Sequence, residues 1–241
     1  MKKNHIVIIP IHDELIMVKE MLSAFLKNTN LNTCSVYVID DGNDTATIDY
    51  LKTVVKKNNN VFLHQNQKNL GKPKSINKVI RDHKNADFFT IIDSDIKITT
   101  KNWNDLLLKA HTIFNNKSIL GGATNQNGFE FKKSDMVFGD MFPFWTLVGN
   151  FFSVPKFVFN KLGYFYDKIR RHEDADYCRR AATQNIRWYY TPNIKTKELK
   201  HLSYSNKKEY QNLKTKEENI YKKRAEHIMK THNIYYNPFK N

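Results

Sequence analysis

The chain has 241 residues, with 39 Lys+Arg against 24 Asp+Glu and a formal net charge of +15. Hydrophobic residues make up 40% and aromatics 13%, which suits a folded chain and excludes a disordered one. Two cysteines exclude a disulfide framework or a four-thiolate zinc site, and eight glycines with six prolines exclude a collagen-like or linker-rich chain. The apolar run Ile6–Ile11 breaks at His12-Asp13, too soon for a signal peptide or a membrane span, so a cytoplasmic setting is expected. The positive charge admits nucleic acid, anionic membrane or phosphorylated substrates as partners. It is densest after Lys195.

Short apolar runs alternate with helical patterns. His5 to Ile9 reads as a buried strand, and Leu15 to Lys27 carries apolar residues at helical spacing. Val36 to Ile39 is a second strand, ending at Asp40-Asp41-Gly42, and Thr45 to Lys57 a helix. Val61 to His64 is a strand; Pro73 to His83 is a helix with proline near its start. Phe88 to Ile92 is a strand ending in Asp93-Ser94-Asp95, followed by a helix over Trp103 to Phe114 and a strand over Ser118 to Ala123. This alternation predicts an α/β fold with a mostly parallel sheet and helices on both faces, binding its ligands beyond the carboxyl ends of the strands. Phe129 to Phe159 is aromatic and irregular, interrupted by Pro143, Gly149 and Pro155. It reads as an acceptor-side wall or a surface-inserting loop rather than a spanning helix. Asp174 to Gln184 is a predicted helix, Ile186 to Tyr190 a strand, and Tyr210 to Thr231 a basic terminal helix.

Four places carry residues suited to chemistry. Asp93-Ser94-Asp95 presents two carboxylates on a turn, hard oxygen ligands that suit Mg²⁺ or Mn²⁺ and the diphosphate it bridges; a polar turn is the plainer alternative. Asp40-Asp41-Gly42 is a good turn, or a pair of acceptors for a base or ribose. Asn69-Leu70-Gly71-Lys72-Pro73 enters a helix and puts Lys72 where it can face a phosphate, although the pattern is not a P-loop. His172-Glu173-Asp174-Ala175-Asp176 starts a helix; its acids either satisfy free N–H groups or provide a general base held ionised by Arg170, Arg171, Arg179 and Arg180. His201 follows a predicted strand and is a candidate third metal ligand; Cys34 and Cys178 read as buried apolar residues.

In order and spacing these pieces resemble glycosyltransferase family 2. The resemblance is carried by Ile8-Ile9-Pro10 with Asp13-Glu14, Val38-Ile39-Asp40-Asp41-Gly42, Asn69-Leu70-Gly71-Lys72 with Asn77, and Ile91-Ile92-Asp93-Ser94-Asp95. Gly149 to Lys156, Leu162-Gly163-Tyr164 and Glu173-Asp174-Ala175-Asp176 continue it. It implies a GT-A (Rossmann-like) domain over residues 1–204, with a nucleotide-sugar half at 1–123, an acceptor and catalytic half at 124–204, and a basic helical extension at 205–241. It implies an inverting, Mn²⁺- or Mg²⁺-dependent transfer from a nucleotide-diphospho-sugar, UDP-sugars first, to a glycan, lipid-linked or protein hydroxyl in glycan or polysaccharide synthesis. The sugar would be a hexose or an N-acetylhexosamine. By residue, it implies Pro10 and Asp13 in the nucleotide-side loop, Asp40 and Asp41 near the base, and Lys72, Ser94 and Glu173 around the donor. Asp93 would sit at ribose or metal, Asp95 and His201 on the metal, and Asp174 would be the base. Lys72, Lys74 and Ser75 depart from the family's Ala and Arg, and Arg170-Arg171 before Glu173 suggests an anionic acceptor. No nucleic acid is expected as a partner, and a peripheral membrane contact through residues 142–159 or the C-terminal helix is open. A basic nucleic-acid-binding protein, a nucleotidyltransferase and a non-catalytic sugar-nucleotide binder are the competing classes.

Overall fold

A computed structural model describes residues 3–12, 15–125, 150–170, 172–199 and 208–231. In chain order the elements are β1 (His5–Ile11), α1 (Leu15–Asn28), β2 (Ser35–Asp40), α2 (Thr45–Lys57), β3 (Val61–Gln65), α3 (Lys72–Asp82), β4 (Phe88–Ile92), β5 (Ile96–Ile98), α4 (Trp103–Ile113), β6 (Ile119–Asn125), β7 (Phe151–Pro155), α5 (Lys156–Leu162), α6 (Glu173–Thr183), β8 (Trp188–Glu198) and α7 (Lys208–Thr231). Eight strands form one sheet in the order β3-β2-β1-β4-β7-β6-β8-β5.

The expected α/β architecture is present. β3, β2, β1 and β4 run parallel, and β6 pairs parallel with β8; β7 is antiparallel to both its neighbours, as is β5 to β8. β1 alternates its side chains between two cores. Val7, Ile9 and Ile11 join α1, α2 and α4 on one face, while Ile6 and Ile8 join α3, α5 and α6 on the other. Chain order turns between β1 and β4, since β2 and β3 lie to one side of β1 and β4 to the other. That reversal is where a crevice opens at the carboxyl ends of the strands.

Several elements differ from the sequence expectation; β8 runs on to Glu198 instead of ending at Tyr190, and three further differences stand out. β1 continues through Pro10 and Ile11. Proline has no N–H to give, but pairing with β4 has already ended at Ile8↔Ile91, so the extra length costs little there. Pro10 is therefore a buried strand residue and not part of a loop. β5 is only three residues, too short for a periodic signal. The third difference is the largest: Phe151–Pro155 is a fully buried strand between β4 and β6, and Lys156–Leu162 is a helix. A strand buried on both faces needs no alternation, so its aromatic run looked irregular. Phe151 packs edge-on against Trp103, with ring centroids 5.2 Å apart, and its ring lies where a Cβ on Gly122 would meet it at 2.9 Å. Residues 151–155 thus wall the interior, whereas Phe157 on α5 is exposed; residues 126–149, including most of the aromatic stretch, lie outside the described residues. Among the described residues no helix is long and apolar enough to cross a membrane.

A chain of buried polar groups crosses β1, β4, β7 and α4. His5 Nε2 meets Thr90 Oγ1 at 2.8 Å, Thr90 Oγ1 donates to Ser153 Oγ at 2.9 Å, and His111 Nε2 meets Ser153 Oγ at 2.8 Å. Neither Nδ1 has a hydrogen-bond partner among the described residues. Burial, only partly opposed by Asp105, pushes His5 down to about 4. Burial again, aided by His5 and Lys3, pushes His111 down to about 3. Both rings are therefore neutral in the folded protein and bind a proton only once it unfolds, where their value is 6.5. The stability that depends on them is complete above pH 6.5 and falls as pH drops toward the folded values, by up to about 1.4 kcal/mol per pH unit for each histidine. Urea unfolding at pH 7, 6 and 5 should show a steady loss, and His111→Asn should flatten it. An unchanged slope in that variant would count against the assignment.

Candidate active site

The carboxyl ends of β2 and β4, the start of α3 and the start of α6 meet at one place. Asp41 follows β2 and is 3% exposed. Its Oδ1 accepts hydrogen bonds from Asn66 Nδ2 (2.9 Å), Leu70 N (2.9 Å) and Ser75 Oγ (2.8 Å), and its Oδ2 from Gly71 N (3.0 Å). One carboxylate thus gathers the whole 66–75 loop. Asp40, 2% exposed, closes its own turn: Oδ1 accepts from Gly42 N, Asn43 N and Asn43 Nδ2, and Gln65 Nε2 reaches Oδ2 at 3.3 Å. Gly42 sits at φ +86°, and a Cβ there would come within 2.7 Å of Asn69 N, so the turn requires glycine.

Held by that loop, α3 opens at Gly71 with Pro73 in its first turn. Lys72 Nζ then lies 2.6 Å from Asp93 Oδ1 and 2.7 Å from Glu173 Oε1. One ammonium bridges the end of β4 and the first residue of α6. Burial alone would favour the neutral amine, but the two carboxylates outweigh it and hold Lys72 charged well above the usual lysine range. Asp93 is pushed upward, first by burial and then by Asp95 and Glu173, with Lys72 opposing. Its side chain keeps 29% of its surface exposed, which moderates the burial effect. Ser94 is 5% exposed, and Asp95 is half-buried, its backbone oxygen accepting from Leu199 N at 2.7 Å.

Of the Glu173-Asp174 pair, Glu173 is buried against Lys72 while Asp174 is half-buried at the first turn of α6, its Oδ1 accepting from Ala175 N at 2.7 Å. Arg180 Nε is turned to Asp176, at 2.9 Å, while Arg179 donates to Ala175 O and feels the charges of both Asp176 and Asp174. Arg170 is exposed and lays its stem beside Gly71; Arg171, Asp13 and His201 lie outside the described residues. The chain enters α6 through His172 at φ +61°. Four of the five described non-glycine residues at positive φ are asparagines; His172 is the exception, a strained conformation of about 1–3 kcal/mol. Cys34 is buried with its thiol pushed up to about 12, first by burial and then by Asp105, and Cys178 is buried too.

The scaffold roles of several residues escaped the sequence reading, which named Asn77 and Ser75 only within the resemblance and did not name Asn66. Asn77, fully buried on the apolar face of α3, donates to Phe165 O at 2.8 Å and accepts from Phe165 N at 3.1 Å, clamping the segment before α6. Its signal was a polar residue beside Ile76, Val79 and Ile80. Asn66 and Ser75 gave none, because short polar residues in loops are common. As a donor set, Asp93 and Asp95 are hard oxygen ligands on one turn and fit Mg²⁺ or Mn²⁺ completed by phosphate oxygens and water. Among the described residues no group of three His, Cys, Asp or Glu converges as a self-sufficient metal cage.

The sequence matches the family described as Glycosyl transferase family 2 over residues 6–152, more than half of the chain. The chain belongs to that family. Its fold is GT-A-like, and solved structures agree. A mannosyltransferase, PcManGT from Pyrobaculum calidifontis in complex with GDP-Man and Mn²⁺, superposes with a TM-score of 0.66 at 14% identity, covering 80% of this chain and 56% of that one. GalNAc-T7 with UDP, GalNAc and Mn²⁺ gives 0.67 at 11% identity, covering 83% and 44%. TarS 1-349 from S. aureus in complex with UDP-GlcNAc gives 0.61 at 16% identity, covering 87% and 64%. This family-2 chain therefore spans from under half to under two thirds of those three structures. The sequence has no significant match among curated proteins.

Asp41→Ala would strand four donors of the family-2 loop and should cost about 3 kcal/mol or more in thermal or urea unfolding. Asp41→Asn keeps one oxygen for three of them but turns an amide toward Gly71 N–H, so its loss should be smaller. Equal stability of all three proteins would contradict the hub.

Proposed function

We propose that this domain transfers a glycosyl unit from a nucleotide-diphospho-sugar to an acceptor hydroxyl with inversion, and that Asp174 is the base. The observation that carries this reading is Lys72, which in a family-2 fold spans from Asp93 at a donor-side strand end to Glu173, the neighbour of Asp174. Charge for the donor and a carboxylate for the acceptor are thus brought within one side chain's reach.

In the proposed reaction Asp174 accepts the acceptor's hydroxyl proton, the acceptor oxygen bonds to the anomeric carbon, and the carbon–phosphate-oxygen bond opposite it breaks, releasing the nucleoside diphosphate. Glu173 is unsuited to the base role because it is buried and ion-paired, whereas Asp174 is half-open. Lys72 presents fixed positive charge toward the donor phosphates, and the pre-formed loop and helix starts orient the two substrates. Asp93 and Asp95 would hold a divalent cation, which when bound supplies positive charge to the diphosphate. His201 is our candidate third ligand. Leu199 N donates to the backbone oxygen of Asp95, and His201 follows two residues later in the sequence. Asp40, Asp41, Pro10 and Asp13 support the nucleotide side in this reading, Asp40 through the turn it closes and Asp41 through the 66–75 loop it gathers.

UDP is the first nucleotide to test, since GalNAc-T7 and TarS were each solved with UDP or a UDP-sugar, and GDP is the second, after PcManGT. Calorimetric titration of UDP should give binding with Mn²⁺ that disappears with EDTA and in Asp95→Ala. Asp174→Asn should bind UDP normally yet lower kcat by about 10²–10⁴-fold. Near-normal transfer by that variant would refute the base.

A further inference from the structure

We propose that α7 is a positioning element for the reaction, with Tyr221 and Arg224 as positioning residues that fix the start of α6; the proposal rests on the reading of Asp174 as base. The two side chains are three apart on one helix and so share a face. Arg224 donates to both oxygens of Asp176, through Nε to Oδ1 and through Nη2 to Oδ2 at 3.4 Å. Its guanidinium also lies 3.8 Å from the centroid of the Tyr166 ring. Tyr221 stacks on His172, with centroids 4.5 Å apart and planes 19° from parallel, while its hydroxyl accepts from Arg179, whose guanidinium lies over the same ring.

These contacts bracket Asp174. His172 stands two residues before it in a left-handed conformation that only surrounding packing maintains, and Asp176 stands two residues after it. Asp176 is 1% exposed, so its carboxylate stays in place only while guanidinium groups satisfy it; Arg180 supplies one from α6 itself and Arg224 the other from α7. Tyr166 brings in the connecting segment that Asn77 clamps at Phe165. Ala225 and Ile228 are buried on α7, so the helix has an apolar anchorage besides the polar clasp. Losing Arg224 should therefore loosen the start of α6 without releasing α7.

The test compares full-length wild type, Arg224→Ala, Arg224→Lys and Tyr221→Leu in three measurements. Those are hydrogen exchange of peptides over 166–180, UDP binding with Mn²⁺, and steady-state transfer. Arg224→Ala and Tyr221→Leu should exchange faster over 166–180 only, keep UDP affinity within about 2-fold, and lose kcat by about 10-fold or more, with partial recovery in Arg224→Lys. Unchanged exchange, unchanged kcat, or exchange that rises throughout the chain would each overturn the proposal. If wild type neither binds a nucleotide nor transfers sugar, the proposed function fails by itself, and hydrogen exchange still decides whether α7 holds α6.

Discussion

The carboxylate of Asp41 is the constraint on which the rest of the site depends. It is buried at the end of β2, and the donors that satisfy it come from four residues between 66 and 75. A buried charge without donors is costly, so the loop must fold around it. That fold sets where α3 begins, and the start of α3 sets Lys72 between Asp93 and Glu173. A side chain remote from the ion pair thereby decides its geometry.

The ion pair answers an electrostatic difficulty. Asp93, Asp95 and Glu173 cluster at strand and helix ends, where burial and the charges of the other two push Asp93 toward its protonated form. The Lys72 ammonium offsets that repulsion and links two elements that are far apart in sequence. α6 is then held on three sides: by Lys72 at Glu173, by Asn77 at the preceding Phe165, and by α7 at Asp176. A helix start held at three points by α3 and α7 can keep one half-open carboxylate, that of Asp174, in a constant direction.

Much of this was legible in the sequence because its causes are local. Helical spacing in Leu15–Lys27 and Thr45–Lys57, buried runs such as Phe88–Ile92, and acids following two of them are properties of neighbouring residues. β7 was hidden because Phe151–Pro155 is buried on both faces, so no alternation marks it, and it ends in proline, which argues against a strand. Gly122 needed the Phe151 ring to reveal its purpose. Arg180 was legible as a charge near Asp174, yet its partner is Asp176, since a pair four residues apart shares a helix face.

The sequence alone determined most of the strand and helix order, the sheet's α/β character, the family, and the residue types gathered at the strand ends, because periodicity and short motifs are written along the chain. Only the tertiary structure decided that Asp40 and Asp41 spend their oxygens on turns and a loop, that Lys72 joins Asp93 to Glu173, and that Arg224 closes on Asp176. The pairings made by Lys72, Asp41 and Arg224 span 21 residues or more, and the Asp40 turn is a choice among several donors of equal chemistry. The deciding factor is which groups packing brings together away from water, and spacing along the chain does not encode it.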